Sequence, residues 1–347
     1  MKLLVFNPEH DLALAANLSN FTAPRAGRQL RADLGFIPAV WADNDDYILV
    51  DDVRQAEEAY GVLQSELGLE SKLFVDKSQL SRLYINKVEP WGWDLTLRSF
   101  LLRYGVNAVP SEDEIAMVRN LSHRRQTAFL LEKLKTEGVI GVSYEAVCIS
   151  DINQLLNNYR HIVVKAPWSS SGRGVRFIVN AIDGYQERWI NNVIEKQGSV
   201  MVEPYYNKVM DFGMEFESDG EGKVSYLGLS LFQTKNGAYT GNVLAPEDVK
   251  QQMLSRYISI DLLSTARERI CWYMGVVLNG KYQGPFGVDM MIVDSADKNG
   301  FLLHPCVEIN LRRTMGHVAL AIPLSSDGIT RVMQIELTDK YRMRIHK

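Results

Sequence analysis

Near the C-terminus the segment HPCVEINLRRTMG, residues 304 to 316, places a carboxylate, a carboxamide and a guanidinium at alternate positions. Residues two apart on a strand face the same side, so Glu308, Asn310 and Arg312 share one face and Val307, Ile309 and Leu311 the other. Polar groups set between apolar neighbours are costly to leave unpaired. Asp289, in the earlier apolar run FGVDMMIV, adds a second carboxylate. Hard oxygen donors of this kind suit Mg²⁺, which takes one or two protein carboxylates and fills its octahedron with nucleotide phosphates. The alternative is a sheet face closed by a salt bridge from Glu308 to Arg312 or Arg313.

A second segment, VVKAPWSSSGRGV (163 to 175), is an apolar run ending in Lys165 and followed by three serines and two glycines. Small residues let successive backbone N–H groups approach an anion and form a nest for phosphate oxygens. Serine hydroxyls add donors, and a lysine on the preceding strand adds a positive charge. The other reading is a β-hairpin whose turn needs glycine, with Lys165 on a solvated face. The spacing is not that of a Walker A loop, where lysine follows the glycines.

The elements that position these groups follow from the apolar pattern. KLLVF (2–6) reads as a strand halted by Asn7-Pro8. Apolar runs at IPAVW and YILV alternate with helical patterns at 25–34 and 53–67, which predicts an α/β first domain. No G-x-G-x-x-G follows its first strand. Ser111 and Glu114 form a capping-box signature. Ser122 is expected to cap an amphipathic helix, HRRQTAFLLEKLKTEG, stopped by Gly138. A second α/β segment reaches about residue 204, and a strand-rich third segment contains one long helix near 261–275. The expected fold is α/β, with α+β character in the C-terminal part, divided at 1–115, 116–204 and 205–347.

The chain of 347 residues, 46% hydrophobic and 23% charged, has the composition of a globular protein with more than one core. A net charge of -4 argues against duplex nucleic acid as a partner. Three scattered cysteines without a CxxC pair imply reduced thiols and a cytoplasmic location. The opening MKLLVFNPEHDLALA turns to charge too early for a signal peptide, and no run suits a membrane span.

Taken in order, the lysine and glycine-rich loop, Glu203-Pro-Tyr-Tyr206 after VMV, Asp289 and Glu308-Ile-Asn310-Leu-Arg312 resemble the ATP-grasp superfamily over roughly residues 115 to 325. The resemblance implies an ATP-grasp fold preceded by a pre-ATP-grasp-like domain. It implies that Lys165 contacts the α- and β-phosphates while Ser169, Ser170, Ser171, Gly172 and Gly174 close over them. Glu203 and the backbone at Tyr205 and Tyr206 would read adenine, and Asp211 or Glu215 the ribose. Arg124 or Arg125 stands where the family often has another lysine. Asp289, Glu308 and Asn310 would hold one or two Mg²⁺ ions (or Mn²⁺), with Arg312 and Lys165 as the catalytic cations. The activity implied is ATP-dependent joining of a small-molecule carboxylate to an amine through an acyl phosphate. A small-molecule kinase and a non-catalytic nucleotide binder are the alternatives, and a homodimer is compatible with any of them.

The sequence says less about the substrate. Asn7, Glu9, His10 and Asp11 follow the first strand, where open α/β sheets bind ligands, but also suit a helix start with satisfied polar residues. QTKNGAYTGNVLAP (233–246) reads as a cover over the substrate or a wide hairpin. The tryptophans of EPWGWD are expected to anchor domain packing. His304 and Cys306 are expected as a satisfied core histidine and a buried thiol.

Overall fold

The computed structural model of the chain describes residues 1–169, 174–235, 238–295, 300–324 and 328–347. Ser170, Ser171 and Gly172 of the small-residue loop lie outside them.

The chain opens with β1 (Lys2–Val5), α1 (His10–Ala16) and α2 (Arg25–Leu34), then β2 (Tyr47–Leu49) and α3 (Val53–Leu67). There follow β3 (Leu73–Val75), β4 (Lys87–Pro90) and α4 (Leu95–Arg103). The four strands form a parallel sheet in the order β3-β2-β1-β4. Asp52 and Asp94 start α3 and α4 by accepting from the backbone N–H of Gln55 and Leu97. The apolar run IPAVW is no strand. Residues Ile37–Val40 form a 3₁₀ turn, because Pro38 has a preset φ and no N–H for a ladder.

Polar residues after β1 tie its end to the start of α4. Asn7 Nδ2 donates to Gly92 O (2.8 Å) and Asp94 Oδ2 (3.1 Å), and His10 Nδ1 lies 3.4 Å from the same carboxylate oxygen. Only glycine fits at residue 92, since a Cβ there would sit 2.6 Å from the His10 ring.

Helix α5 (Glu112–Leu121) begins with the expected Ser111–Glu114 capping box. Ser122, however, does not cap α6 (Arg125–Leu134). Its hydroxyl donates back to Val118 O at 2.8 Å and closes α5, so α6 begins after a tight turn at Arg124. Gly138, at φ +80°, lies beyond the end of α6 rather than at it.

The next elements are β5 (Tyr144–Ala146), α7 (Ile149–Tyr159), β6 (His161–Lys165), β7 (Val175–Val179), α8 (Gly184–Gln197) and β8 (Val200–Pro204). They form an antiparallel sheet, β5-β8-β6-β7, whose Ile162, Val164, Ile178 and Val202 pack with Ile152, Leu156 and Ile190 of the helices.

The remainder comprises β9 (Lys208–Ser218), β10 (Val224–Ser230), β11 (Phe232–Lys235), β12 (Ala238–Leu244), α9 (Glu247–Leu254) and α10 (Ile260–Leu278). It ends with β13 (Gly284–Ser295), β14 (Gly300–Asn310), α11 (Met315–Ala321), β15 (Arg331–Leu337) and β16 (Tyr341–His346). Two antiparallel sheets result, β10-β9-β13-β14 and β11-β12-β15-β16. Within segment 233–246, β11 and β12 pair antiparallel, as the hairpin alternative requires, and residues 236 and 237 lie outside the described residues.

Packing does not follow sequence order. The apolar face of the β9–β13–β14 sheet, with Phe212, Phe216, Phe286 and Val288, shares one core with α10 and with Leu130, Leu131 and Leu134 of α6. The apolar stripe of α6, which belongs to the expected middle segment 116–204, is thus buried in the C-terminal core. The C-terminal strands also turn back. Met333 and Met343 share a core with Leu4, Leu34, Ile37 and Trp91 of the first domain. Trp91 anchors packing as expected, edge-on to Phe6 with ring centroids 4.9 Å apart. Met333→Ala opens a cavity at this junction and is expected to destabilise the protein by about 2–4 kcal/mol, read by urea denaturation. A loss below about 0.5 kcal/mol would show that the two ends of the chain do not depend on each other.

Candidate active site

The side chains of Ile162 and Val164 face the helices, so Lys165 and Glu203 point from the opposite face of the same sheet toward β14. Lys165 Nζ lies 2.5 Å from Glu203 Oε2 and 3.4 Å from the carbonyl of Val307. The hairpin reading holds for the strands that flank the loop. Strands β6 and β7 do form a hairpin, closed by Ala166 N–H to Gly174 O (2.8 Å), yet Lys165 is buried rather than solvated. Gly174 packs directly on Ser169, where a Cβ would overlap the serine side chain.

Arg124 joins this sheet to β14. Its Nη1 donates to Ala166 O and to Ser169 Oγ (2.8 Å), while Nη2 donates to Glu308 Oε1 (2.6 Å). Arg125 pairs instead with Glu145 at 3.1 Å, so of the two arginines Arg124 is the one beside the loop and the acidic strand. Burial works against charge on Arg124, but the Glu308 carboxylate outweighs it and keeps the guanidinium firmly protonated.

On β13 and β14, Asp289 stands directly opposite Glu308 and Gly287 opposite Asn310. Like charges opposed across a ladder repel. The repulsion is met by Arg124 on Glu308 and by Asn310 Nδ2, which donates to Asp289 Oδ2 at 3.0 Å. Burial, then Glu308, then Glu215 push the half-buried Asp289 carboxyl up to about 8. Strand β14 ends at Asn310, and Arg312 lies beyond it, after the sharp Arg312 N–H to Asn310 O bond (2.8 Å). Its guanidinium nevertheless returns to the same group, with Nη2 donating to Asn310 Oδ1 at 2.9 Å. The predicted Glu308–Arg312 salt bridge is not what closes this face, because each charge has another partner.

The partner of Arg312 is Asp11, gripped at both oxygens by Nε (3.0 Å) and Nη2 (2.8 Å). Burial disfavours the Asp11 carboxylate, but Arg312 overrides that cost and holds its pKa below the usual range. Sequence spacing contains no sign of this contact between residues 301 apart. Glu215 is a second group that the sequence marks only as an alternative ribose ligand. It sits on β9 opposite Gly287, with its Oε2 3.0 Å from His317 Nδ1. A Cβ on Gly287 would stand 2.6 Å from its Oε2, so glycine there makes room for the carboxylate.

Other predicted positions are more dispersed. Asp211 accepts from Lys208 Nζ (2.5 Å) and Thr234 Oγ1 (3.0 Å). Tyr205 is exposed and stacks on His161 with centroids 3.8 Å apart, while Tyr206 is edge-on to His304 at 5.2 Å. His304 is buried as expected but not satisfied, since neither ring nitrogen has a hydrogen-bond partner among the described residues. Burial and the nearby Lys165 charge lower its pKa to about 3. Cys306 is the buried thiol expected.

Among the described residues, no three His, Cys, Asp or Glu side chains converge into a metal cage. Asp289, Glu308 and Asn310 supply two carboxylates and an amide oxygen, a donor set that fits Mg²⁺ only if further ligands arrive with a substrate.

No protein-family model matches the chain, and no curated protein is detectably similar to it in sequence. Solved structures do match. The chain is similar to N5-carboxyaminoimidazole synthetase from Staphylococcus aureus complexed with ADP, with a TM-score of 0.52 and 12% identity over 97% of this chain and 82% of that one. It is also similar to the biotin carboxylase–β-γ-ATP complex from Campylobacter jejuni, with a TM-score of 0.51 and 14% identity over 96% of this chain and 75% of that one. The chain has the ATP-grasp fold. No helix of the described residues is long and apolar enough to cross a membrane.

Replacing Asp289 isolates its titration. Unfolded aspartate loses its proton near pH 4, whereas the folded carboxyl keeps it to about pH 8. Between those values the unfolded state binds fewer protons, so wild-type stability falls as pH rises. Without divalent cations, the stability advantage of Asp289→Asn should be small at about pH 4, grow to about 2–4 kcal/mol by pH 8, and then level off. A flat difference in urea denaturation across that range would mean that Asp289 ionises normally.

Proposed function

We propose that this ATP-grasp chain is a Mg-ATP-dependent, cytoplasmic ligase that joins a small-molecule carboxylate to an amine. The supporting observation is the meeting of Lys165, Arg124 and the Asp289/Glu308 pair, brought together from three separate segments. Each cation of the group now rests on a carboxylate: Lys165 on Glu203, Arg124 on Glu308, and Arg312 on Asp11. A nucleotide would enter by exchange of partners. Arg124 and Lys165 are placed to grip phosphate oxygens, with Ser169 as a hydroxyl donor beside them. Loss of Arg124 from Glu308 would free that carboxylate for the metal.

Asp289, Glu308 and Asn310 would hold Mg²⁺, which supplies charge neutralisation at the transferring phosphoryl group. Phosphoryl transfer needs positioning and electrostatics more than covalent help, which agrees with a site built of ion pairs. Arg312, held at Nε and Nη2 by Asp11, is oriented for charge that develops on the acceptor carboxylate and the γ-phosphoryl group. Attack by the substrate carboxylate would give an acyl phosphate, and an amine would then displace phosphate. Glu203 and the Tyr205–Tyr206 backbone are the adenine contacts in this reading, and Asp211 the ribose contact. The segments 1–115, 116–204 and 205–347 then act as substrate, loop-bearing and metal-bearing lobes.

Calorimetric titration tests the site. Lys165→Ala and Arg124→Ala should each weaken Mg-ATP binding at least tenfold, about 1.4 kcal/mol, while Arg125→Ala stays within about twofold. Equal effects of Arg124→Ala and Arg125→Ala, in variants shown folded by circular dichroism, would move the nucleotide elsewhere. The chemistry is read by ADP release with hydroxylamine present: a hydroxamate marks an acyl phosphate, and ADP without hydroxamate marks a kinase. Asp11→Asn is expected to lower kcat roughly tenfold or more with little change in ATP affinity, because it loosens Arg312 and not the phosphate contacts. A pure loss of ATP affinity would contradict that role.

A further inference from the structure

The guanidinium of Arg124 spans the gap between two sheets. Its Nη1 donates to the Ala166 carbonyl and to Ser169 Oγ (2.8 Å) beside the β6–β7 hairpin, and its Nη2 donates to Glu308 Oε1 (2.6 Å) on β14. The backbone N–H of Arg124 reaches Pro167 O at 3.3 Å, so main chain and side chain both anchor it beside the hairpin. Its side chain is 8% exposed and that of Glu308 27%. The carboxylate is therefore within reach of solutes, and the arginine that holds it is covered.

Each of the three candidate metal ligands gives an oxygen to a protein donor: Glu308 to Arg124, Asp289 to Asn310, and Asn310 to Arg312. A divalent cation arriving alone would have to displace the guanidinium from Glu308, and charge-assisted bonds of this length are among the stronger ones. The displaced arginine would find no free carboxylate. Asp11 and Glu203 attract it as well, but they are held by Arg312 and Lys165. Its anchoring at the hairpin would also keep it close to the cation, where like charges in a partly buried site repel strongly. A polyphosphate changes this balance, because its oxygens suit the planar fork of a guanidinium. Arg124 Nε is buried without a hydrogen-bond partner among the described residues, so the group has a donor to spare.

We propose that Arg124 is a latch on the acidic face, excluding a free divalent cation from Glu308 and yielding the carboxylate only when a polyphosphate takes over the guanidinium. The inference rests on the Mg-ATP reading of this face and goes beyond it by fixing an order: phosphate contact with Arg124 precedes or accompanies metal contact with Glu308. Metal and polyphosphate then bind with positive coupling through this one residue, and each raises the affinity for the other.

The probe is Mn²⁺, titrated by electron paramagnetic resonance into the full chain without nucleotide. Wild type should show no saturable binding below about 1 mM, and Arg124→Met should bind Mn²⁺ at least about tenfold tighter than that limit. Adding Glu308→Gln to Arg124→Met should remove the gain. The arginine substitution thus strengthens Mn²⁺ while weakening Mg-ATP, opposite shifts that a general loss of structure would not produce. Wild type that binds Mn²⁺ as tightly as Arg124→Met, no gain in the folded variant, or a gain that survives Glu308→Gln each overturns the latch. If Arg124→Met does not fold, Arg124→Lys, which keeps the charge but loses the fork, should gain at least about threefold, and no gain there overturns the latch. Titration of wild type with Mg-ATP separates the two readings. Mg-ATP binding with no Mn²⁺ gain in the variant removes the latch and leaves the nucleotide site standing. A gain in a protein that binds no Mg-ATP overturns release by polyphosphate, together with the nucleotide reading.

Discussion

Two carboxylates, Asp289 and Glu308, face one another across adjacent antiparallel strands, and the surrounding structure is arranged to tolerate them. In a plain sheet this pairing would be repulsive. Here Glu308 is held by Arg124 from the helical segment, and Asp289 by the amide of Asn310. Asn310 is in turn held by Arg312, and Arg312 by Asp11 of the first domain. One unfavourable contact thus draws in groups from three parts of the chain. Removing one partner of such a buried pair costs about 3–5 kcal/mol in typical proteins, because it strands the other charge.

The packing explains why these groups can meet. Helix α6 precedes the central sheet in sequence but shares the core of the C-terminal sheet, so Arg124 at its start is brought against β14. The central sheet buries Ile162 and Val164 under its helices and so presents Lys165 and Glu203 to the same strand. The C-terminal strands then pack on the first domain through Met333 and Met343. That return accompanies the reach of Asp11 to Arg312, so the first domain touches the C-terminal part both through this core and through an ion pair.

The same junction separates two kinds of polar site. On one side of α1 the charges neutralise one another, Arg312 on Asp11 and Arg124 on Glu308. On the other side Glu9 and Arg31 pair through one atom each and leave one each unused. Asn7 and His10, between them in sequence, are taken up by Asp94 and Gly92 and serve to fix the loop. Of the four polar residues after the first strand, Asn7 and His10 therefore hold the loop, while Glu9 pairs with Arg31 and Asp11 with Arg312.

Much of this was legible before any coordinates. The alternation of Glu308 and Asn310 between apolar residues specified a polar strand face, because side-chain direction on a strand has period two. The run ending in Lys165 specified a strand but left its loop open between a hairpin turn and a phosphate nest, and Ser111 with Glu114 specified a helix start, a short-range matter of backbone geometry. Local pattern misled at two places where one short-range signal was overruled by another. Ser122 had the chemistry of a cap but closed the preceding helix; IPAVW was apolar enough for a strand but held a proline. Only the tertiary structure decided that Arg124 and not Arg125 meets Glu308, that Arg312 is held by Asp11, and that His304 is buried without a partner. Those are contacts between residues far apart in the chain, and charge pairing across such separations leaves no periodicity in the sequence to read.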